Sequence, residues 1–397
     1  MRYRRFLPDL VEYYLPSFRA VIESQSSSSV MCSYNDINGV PSCGNSFLLN
    51  HMLREEWGFD GFVISDCGAL SNFNFEAYKF SRLGNDTARH VASVINSGCD
   101  IGCGGLLNDN ITYALQERTV NTTTLDQALV RVYRKMIELG QWDGEAKSDA
   151  EFSQFGAQSV DTPEHRQLAL EAAQQATVLL QNNKVGASGT PLLPLRKGTK
   201  VAIIGPHARS ARRLLSIYVG AGNTVVENQT MERGIERAAG LHGVTVVGTN
   251  IGCANNTGGS AAGHPWLDRN AWACTNTSYF EAAAALAKEA DVVLMFMGLS
   301  PGVNGTDGDS GESEGLDRPN DLSLPGNQSD LVRVVAAANP NVVLTIVHGG
   351  ASISLEEEKA LCPAIVDAHY PGEMGGDAIA SILFGDVSPS GRLTTTM

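Results

Sequence analysis

Short apolar runs alternate with longer amphipathic stretches along most of the chain. Within residues 1–145, SVMCSYN (29–35) and DGFVISD (60–66) predict short buried strands, and SFLLNHMLREEWG between them predicts a helix stopped by Gly58. A strand, helix and strand in that order pair in parallel. TARHVASVINSG then predicts a helix, CDIGCGG a strand end and turn, and LLNDNITYALQERTV another helix. The clearest pattern comes next. Leu125, Ala128, Leu129, Val132, Tyr133, Met136 and Ile137 recur every three or four residues, with Thr124 and Gln127 in a capping-box pattern and Gly140 as the stop.

From Trp142 to Asp161 the chain is polar and aperiodic, which predicts a linker. Thr162-Pro163 then opens a long helix with Leu168, Ala172, Ala176 and Leu180 on one face. Beyond Lys200 the segments VAIIG (201–205), VTVVG (244–248), DVVLMFMG (291–298), NVVLTIVHGG (341–350) and AIVDAHY (364–370) hold apolar runs of the kind found in strands buried on both faces of a parallel sheet. EAAAALAKEA and QSDLVRVVAAA predict helices between them. The second half therefore reads as a layered α/β domain, with Gly302 to Gly315 as a polar loop.

At 397 residues the chain has room for two or three domains. With 43 acidic against 29 basic side chains its net charge is −14, which argues against a nucleic-acid partner. The longest strictly apolar runs, Ala282 to Ala287 and Val292 to Met297, are far short of the roughly 20 residues of a membrane helix. Eight cysteines say little by themselves in a chain this long, but eight Asn-x-Ser/Thr sequons (Asn85, Asn110, Asn121, Asn228, Asn255, Asn276, Asn304, Asn327) favour a secreted protein. The opening MRYRRFLPDLVEYYLP lacks the apolar stretch of a signal peptide, so either the true N-terminus lies outside this sequence or the sequons are idle.

Asp66, in ISDCG, stands at the carboxyl end of a predicted buried strand, where parallel sheets and barrels place functional residues. An Asp there is more often a turn or cap residue. A second acidic group changes that balance: Glu312 and Glu314, in SGESEGLDR, sit in the polar loop after the strand ending at Gly298, with Asp317 and Arg318 placed to fix the loop. Two carboxylates from distant segments facing one pocket are the equipment of glycoside cleavage.

VMCSYNDINGVPSCGNSFLLNHMLREEWGFDGFVISDCGAL resembles the nucleophile region of glycoside hydrolase family 3, in particular its β-xylosidase and α-arabinofuranosidase branch. GESEGLDRPNDLSLPGNQSDLV is similar to the acid/base loop of that branch, and HYPGEMGGDAIASILFGDVSPSGRL to its closing helix and strand. The resemblance implies a retaining, exo-acting hydrolase that removes β-linked xylose, or arabinose, from the non-reducing end of oligosaccharides, with no cofactor or metal. β-Glucosidases of the same family are the close alternative. Asp66 matches the nucleophile, and Met31 and Tyr34 match residues lining the adjoining sugar subsite. Glu314 is the gap-free match for the acid/base, with Glu312 as its rival. Retention requires the two carboxyl groups about 5 to 5.5 Å apart.

The implied fold is part of a (β/α)8-type barrel over residues 1–145, a linker and connecting helix over 146–185, and an α/β sandwich over 186–397. A barrel of that kind takes about 250 residues. The nucleophile arrives here at position 66, so roughly the first barrel half is expected to be missing and the chain alone to be inactive or poorly folded, its second domain surviving as an α/β module. Cys32 and Cys43 flank the turn-forming SYNDINGVPS, and Cys67 reaches Cys103 if neighbouring barrel strands end side by side, so both pairs are expected as disulfides.

Other chemistries fit less well. Gly298-Leu299-Ser300-Pro301-Gly302 has the spacing of a nucleophile elbow, but Pro301 and a polar loop follow it where a helix should. VAIIG has no G-x-G-x-x-G opening a helix after it, and Cys99-x-x-x-Cys103 has no further pair to complete four metal ligands. None of the eight histidines has a catalytic partner visible in the sequence.

Overall fold

In the computed structural model of the protein, residues 7–70, 87–142, 155–186, 189–215, 229–253, 274, 276–299, 322–349 and 353–393 are described. Contacts divide the chain into two units, residues 1–154 and 155–397. Each is built around parallel strands.

In the first unit strands β1 (Ser29–Cys32) and β2 (Phe62–Ser65) pair in parallel, Met31 opposite Ile64 and Cys32 opposite Ser65. A single parallel bridge from Ile64 to Ile101 continues the ladder, with the N–H groups of Asp100 and Ile101 donating to Val63. The pleat sends alternate residues to opposite faces. One face, with Cys32 and Val63, joins Leu49 and Leu53 of the helix Phe47–Glu56 in an apolar core. Helices Thr87–Asn96 and Gly105–Gln116 follow as the pattern predicts.

Helix Thr122–Glu138 differs from its prediction at the start. Its cap is Asn121, whose Oδ1 accepts the Thr124 N–H at 2.7 Å, so Thr124 lies inside the first turn. Of the expected apolar face Ala128 is buried, while Leu129, Tyr133 and Ile137 are exposed. Its polar tie to β2 runs through Arg131. That side chain and Arg54 each reach the buried Asp100 carboxylate at 2.7 Å, and Asp100 Oδ2 also accepts the Val63 N–H at 2.8 Å.

The second unit holds a mixed six-stranded sheet. Its strands are β3 (Val178–Asn182), β4 (Lys200–Ile204), β5 (Thr245–Asn250), β6 (Val292–Gly298), β7 (Val342–Val347) and β8 (Ala364–Asp367), in spatial order β3-β8-β7-β6-β4-β5. All neighbours are parallel except β3, which runs antiparallel to β8. Successive residues of the central strands feed two cores. Ile203, Leu294, Phe296 and Val343 enter one, and Ile204, Val293, Met295 and Leu344 the other. Helices Met231–His242 and Gly375–Phe384 cover the first face, and Phe280–Lys288 and Gln328–Ala338 the second.

The second unit departs from its sequence pattern at three places. Leu180 belongs to β3 and not to the preceding helix, which ends at Ala176. The helix Pro163–Ala176 buries Ala173, while Leu168, Ala172 and Ala176 stay exposed, and its Gln174 donates to Ser381 of the helix Gly375–Phe384 at 2.9 Å. VTVVG forms the sheet edge β5, half-buried where burial on both faces was expected.

The run HYPGEMGG has a packing explanation. A Cβ on Gly376 would collide with the carbonyl of Thr230, and one on Gly234 with the carbonyl of Gly376. Helices Met231–His242 and Gly375–Phe384 thus touch backbone to backbone. Among the described residues no helix is long and apolar enough to cross a membrane.

Candidate active site

Asp66 follows the last residue of β2 directly. Its N–H donates to the Cys32 carbonyl of β1 at 2.9 Å, extending the parallel ladder by one rung. Its Oδ1 accepts the N–H of Cys67 at 2.7 Å, and the side chain is half-buried. By the strand period, Ile64 and Asp66 share the face opposite Val63 and Ser65. Met31, in register with Ile64, is 57% exposed. That face therefore carries Met31, Ile64 and Asp66 together.

The turn after Asp66 is braced on three sides. Cys67 is joined to Cys103, with Cα atoms 4.4 Å apart. The Gly68 N–H donates to the Cys103 carbonyl at 2.8 Å, and the Cys103 N–H to Ser65 Oγ at 2.9 Å. The Tyr34 hydroxyl donates to the Cys67 carbonyl, so the ring is fixed beside the residue that follows Asp66. The other expected disulfide, Cys32–Cys43, is present with Cα atoms 5.1 Å apart, and it clasps the hairpin formed by Asp36–Ile37 and Val40–Pro41.

The structure thus brings Asp66, Tyr34 and the Met31 strand together. Glu312 and Glu314 lie outside the described residues, as do Asp317, Arg318 and most of the nucleophile-elbow sequence. Two clefts of the first unit, around Arg54 and Arg131, include none of Asp66, Met31 and Tyr34 in their linings.

With Cys103 in its expected disulfide and Cys99 a buried free thiol pushed up to about 12 by burial, these two do not form a metal pair. Several other features escaped the sequence. A third disulfide joins Cys253 and Cys274. In the second unit His207, just past β4, has Nε2 2.7 Å from the Leu299 carbonyl, as a donor. Burial first, then the charge of Arg213, holds this imidazole down at about 3 despite that hydrogen bond, so it is neutral at ordinary pH. His348, Asp367 and His369 gather at the ends of β7 and β8. Burial opposes ionisation of Asp367, but the hydrogen bond from His348 and the charges of both histidines outweigh it and hold the carboxyl below its usual range.

The comparisons with known proteins agree with this architecture. The glycosyl hydrolase family 3 C-terminal domain matches residues 177–397, and the family's N-terminal domain matches residues 5–135. The chain belongs to glycosyl hydrolase family 3. A probable β-D-xylosidase of Arabidopsis thaliana is 35% identical over 98% of this chain and 46% of its own length. The solved structure of a family 3 exo-β-xylosidase, in complex with a xylobiose aziridine activity-based probe, superposes with a TM-score of 0.75 at 30% identity, covering 98% of this chain and 45% of that one. A β-glucosidase from Erythrobacter marinus superposes with the same TM-score at 28% identity, covering 94% and 48%. The chain spans about half the length of the curated relatives it matches.

Proposed function

We propose that this chain carries the nucleophile and the acid/base loop of a retaining, exo-acting β-xylosidase acting on xylo-oligosaccharides or related glycosides. The observation that carries the reading is the placement of Asp66: one residue past a half-buried parallel strand, on the face that bears Met31, with Tyr34 fixed against the next turn. Asp66 attacks the anomeric carbon, and Glu314, or its rival Glu312, protonates the leaving oxygen. Water then hydrolyses the glycosyl-enzyme, with the same Glu as base. Met31 and Tyr34 line the sugar subsite. The hydrogen bond of Asp66 to the Cys67 N–H and the ladder bond to Cys32 hold the carboxylate in one orientation, which is where positioning contributes to rate.

In this reading residues 1–145 are part of a (β/α)8-type barrel. The consecutive parallel neighbours β1, β2 and Ile101 support it, since successive barrel strands lie side by side. Residues 146–185 connect it to the sandwich of 186–397. Three disulfides and eight sequons support secretion and glycosylation, with Asn121 on the surface.

The test is side-by-side hydrolysis of aryl β-xyloside, α-arabinofuranoside and β-glucoside by the protein as its source makes it. Xyloside preference is expected, with Asp66→Ala removing turnover and azide restoring part of it. The likeness to the Erythrobacter β-glucosidase favours the second reading, a β-glucosidase. One hydroxymethyl group is typically worth only about 1–3 kcal/mol of discrimination, so a large glucoside preference would replace the xylosidase reading.

A further inference from the structure

We propose that His348, Asp367 and His369 form a binding site for one divalent transition-metal ion, with Zn2+ as the ion their donors suit best. The residues come from neighbouring parallel strands. His348 follows β7, Asp367 ends β8 opposite Ile346, and His369 stands two residues further on. His348 Nε2 is 3.0 Å and His369 Nδ1 3.5 Å from Asp367 Oδ1, and one ligand atom from each residue lies within 4.8 Å of the others. An ion bonded at about 2.0–2.1 Å to each would set tetrahedral neighbours about 3.3 Å apart, so two of the three spacings already suit it.

The local structure prepares these donors. The backbone of His369 is left-handed, φ 49°, a conformation uncommon outside glycine, and it turns the ring back beside Asp367. The His369 N–H donates to Asp367 Oδ1 at 3.1 Å, and the His348 N–H to the His369 carbonyl at 3.3 Å. The Asp367 side chain is wholly buried, and its Oδ2 and His348 Nδ1 are buried polar atoms without a hydrogen-bond partner among the described residues. Buried polar atoms without partners are uncommon, and these two leave lone pairs free for a ligand. His369, 35% exposed, leaves an approach from solvent. Two imidazoles and one carboxylate suit Zn2+ with an open fourth position, whereas Ca2+ and Mg2+ prefer all-oxygen sites.

The test uses the full chain, stripped with a chelator and titrated with Zn2+ against a chromophoric competitor, with Co2+ absorption reporting the ligand field. One equivalent is expected to bind, and His348→Gln and His369→Asn are each expected to weaken it at least tenfold. Asparagine is chosen because it tolerates the left-handed backbone at this exposed position, so His369→Asn keeps the test valid if His348→Gln fails to fold. His51→Ala, at a surface histidine paired with Glu55, is expected to leave the affinity unchanged. Binding of less than one equivalent, or affinity in folded His369→Asn within twofold of the unmodified protein, would overturn the proposal and leave the cluster as a hydrogen-bonded pair with a neighbouring imidazole.

Discussion

The backbone N–H of Asp66 donates to the Cys32 carbonyl at 2.9 Å, so the candidate nucleophile is carried between two half-cystines, Cys32 beside it and Cys67 after it. A carboxylate on a loop would sample many orientations. This one is tied into the strand ladder, and the peptide after it is held by a disulfide, by Ser65 through Cys103 and by the Tyr34 hydroxyl.

The Cys67–Cys103 bridge is therefore expected to matter for both stability and rate. It closes a loop with a sequence separation of 36, for which chain entropy gives a stabilisation of about 4 kcal/mol at most. The double variant Cys67→Ser, Cys103→Ser should unfold at lower denaturant concentration and turn over aryl xyloside more slowly. Unchanged hydrogen exchange across residues 62–70 together with unchanged turnover would remove the brace from the account.

Asp100 is the structural keystone of the first unit. Its buried carboxylate receives Arg54 and Arg131 at 2.7 Å and the Val63 N–H at 2.8 Å, joining two helices to β2. Removing one partner of a buried ionic group strands the others, so Asp100→Ala should cost about 3–5 kcal/mol. Equilibrium denaturation of the variant measures this. A loss under about 1 kcal/mol would mean that solvent reaches the guanidinium groups freely.

The central strands of the second unit were legible because burial on both faces leaves no polar position to break the run, as in Val292–Gly298. β3 was not, because Val178 to Leu180 continues the spacing of the helix before it. Thr177 ends that helix with an extended backbone and a hydroxyl donated to the Ala173 carbonyl, which no periodicity reveals. The cap of Thr122–Glu138 was misplaced for a related reason. Asn121 to Thr124 offers four polar capping residues, and only geometry selects Asn121. The place of Asp66 at a strand end was legible from ISDCG, but position alone favours a turn residue, and its proposed role came from the motif around it. The cluster of His348, Asp367 and His369 was not, since its first two members are brought together only by the register that sets Ile346 beside Asp367.

His207 predicts an acid-sensitive second unit. Its folded value of about 3 lies below the ordinary 6.5, so between those values only the unfolded chain takes the proton. The unfolded state then binds more protons, and stability falls as pH drops from 6.5 towards 3, by as much as about 4 kcal/mol over the full window. His207→Gln, which retains a donor for the Leu299 carbonyl, should flatten the dependence in denaturation curves recorded between pH 7 and pH 4. An unchanged slope in that variant would assign the acid sensitivity to other groups.

Covalent capture of the nucleophile tests the role of Asp66 most directly. Incubating the protein, as its source makes it, with a xylose-configured aziridine probe and sequencing the labelled peptide by mass spectrometry should place the sugar ester on Asp66, within the segment DGFVISDCGAL. Labelling should disappear in Asp66→Ala. An ester on any other carboxylate, or undiminished labelling of Asp66→Ala, would contradict the assignment of Asp66 as the residue that attacks the sugar.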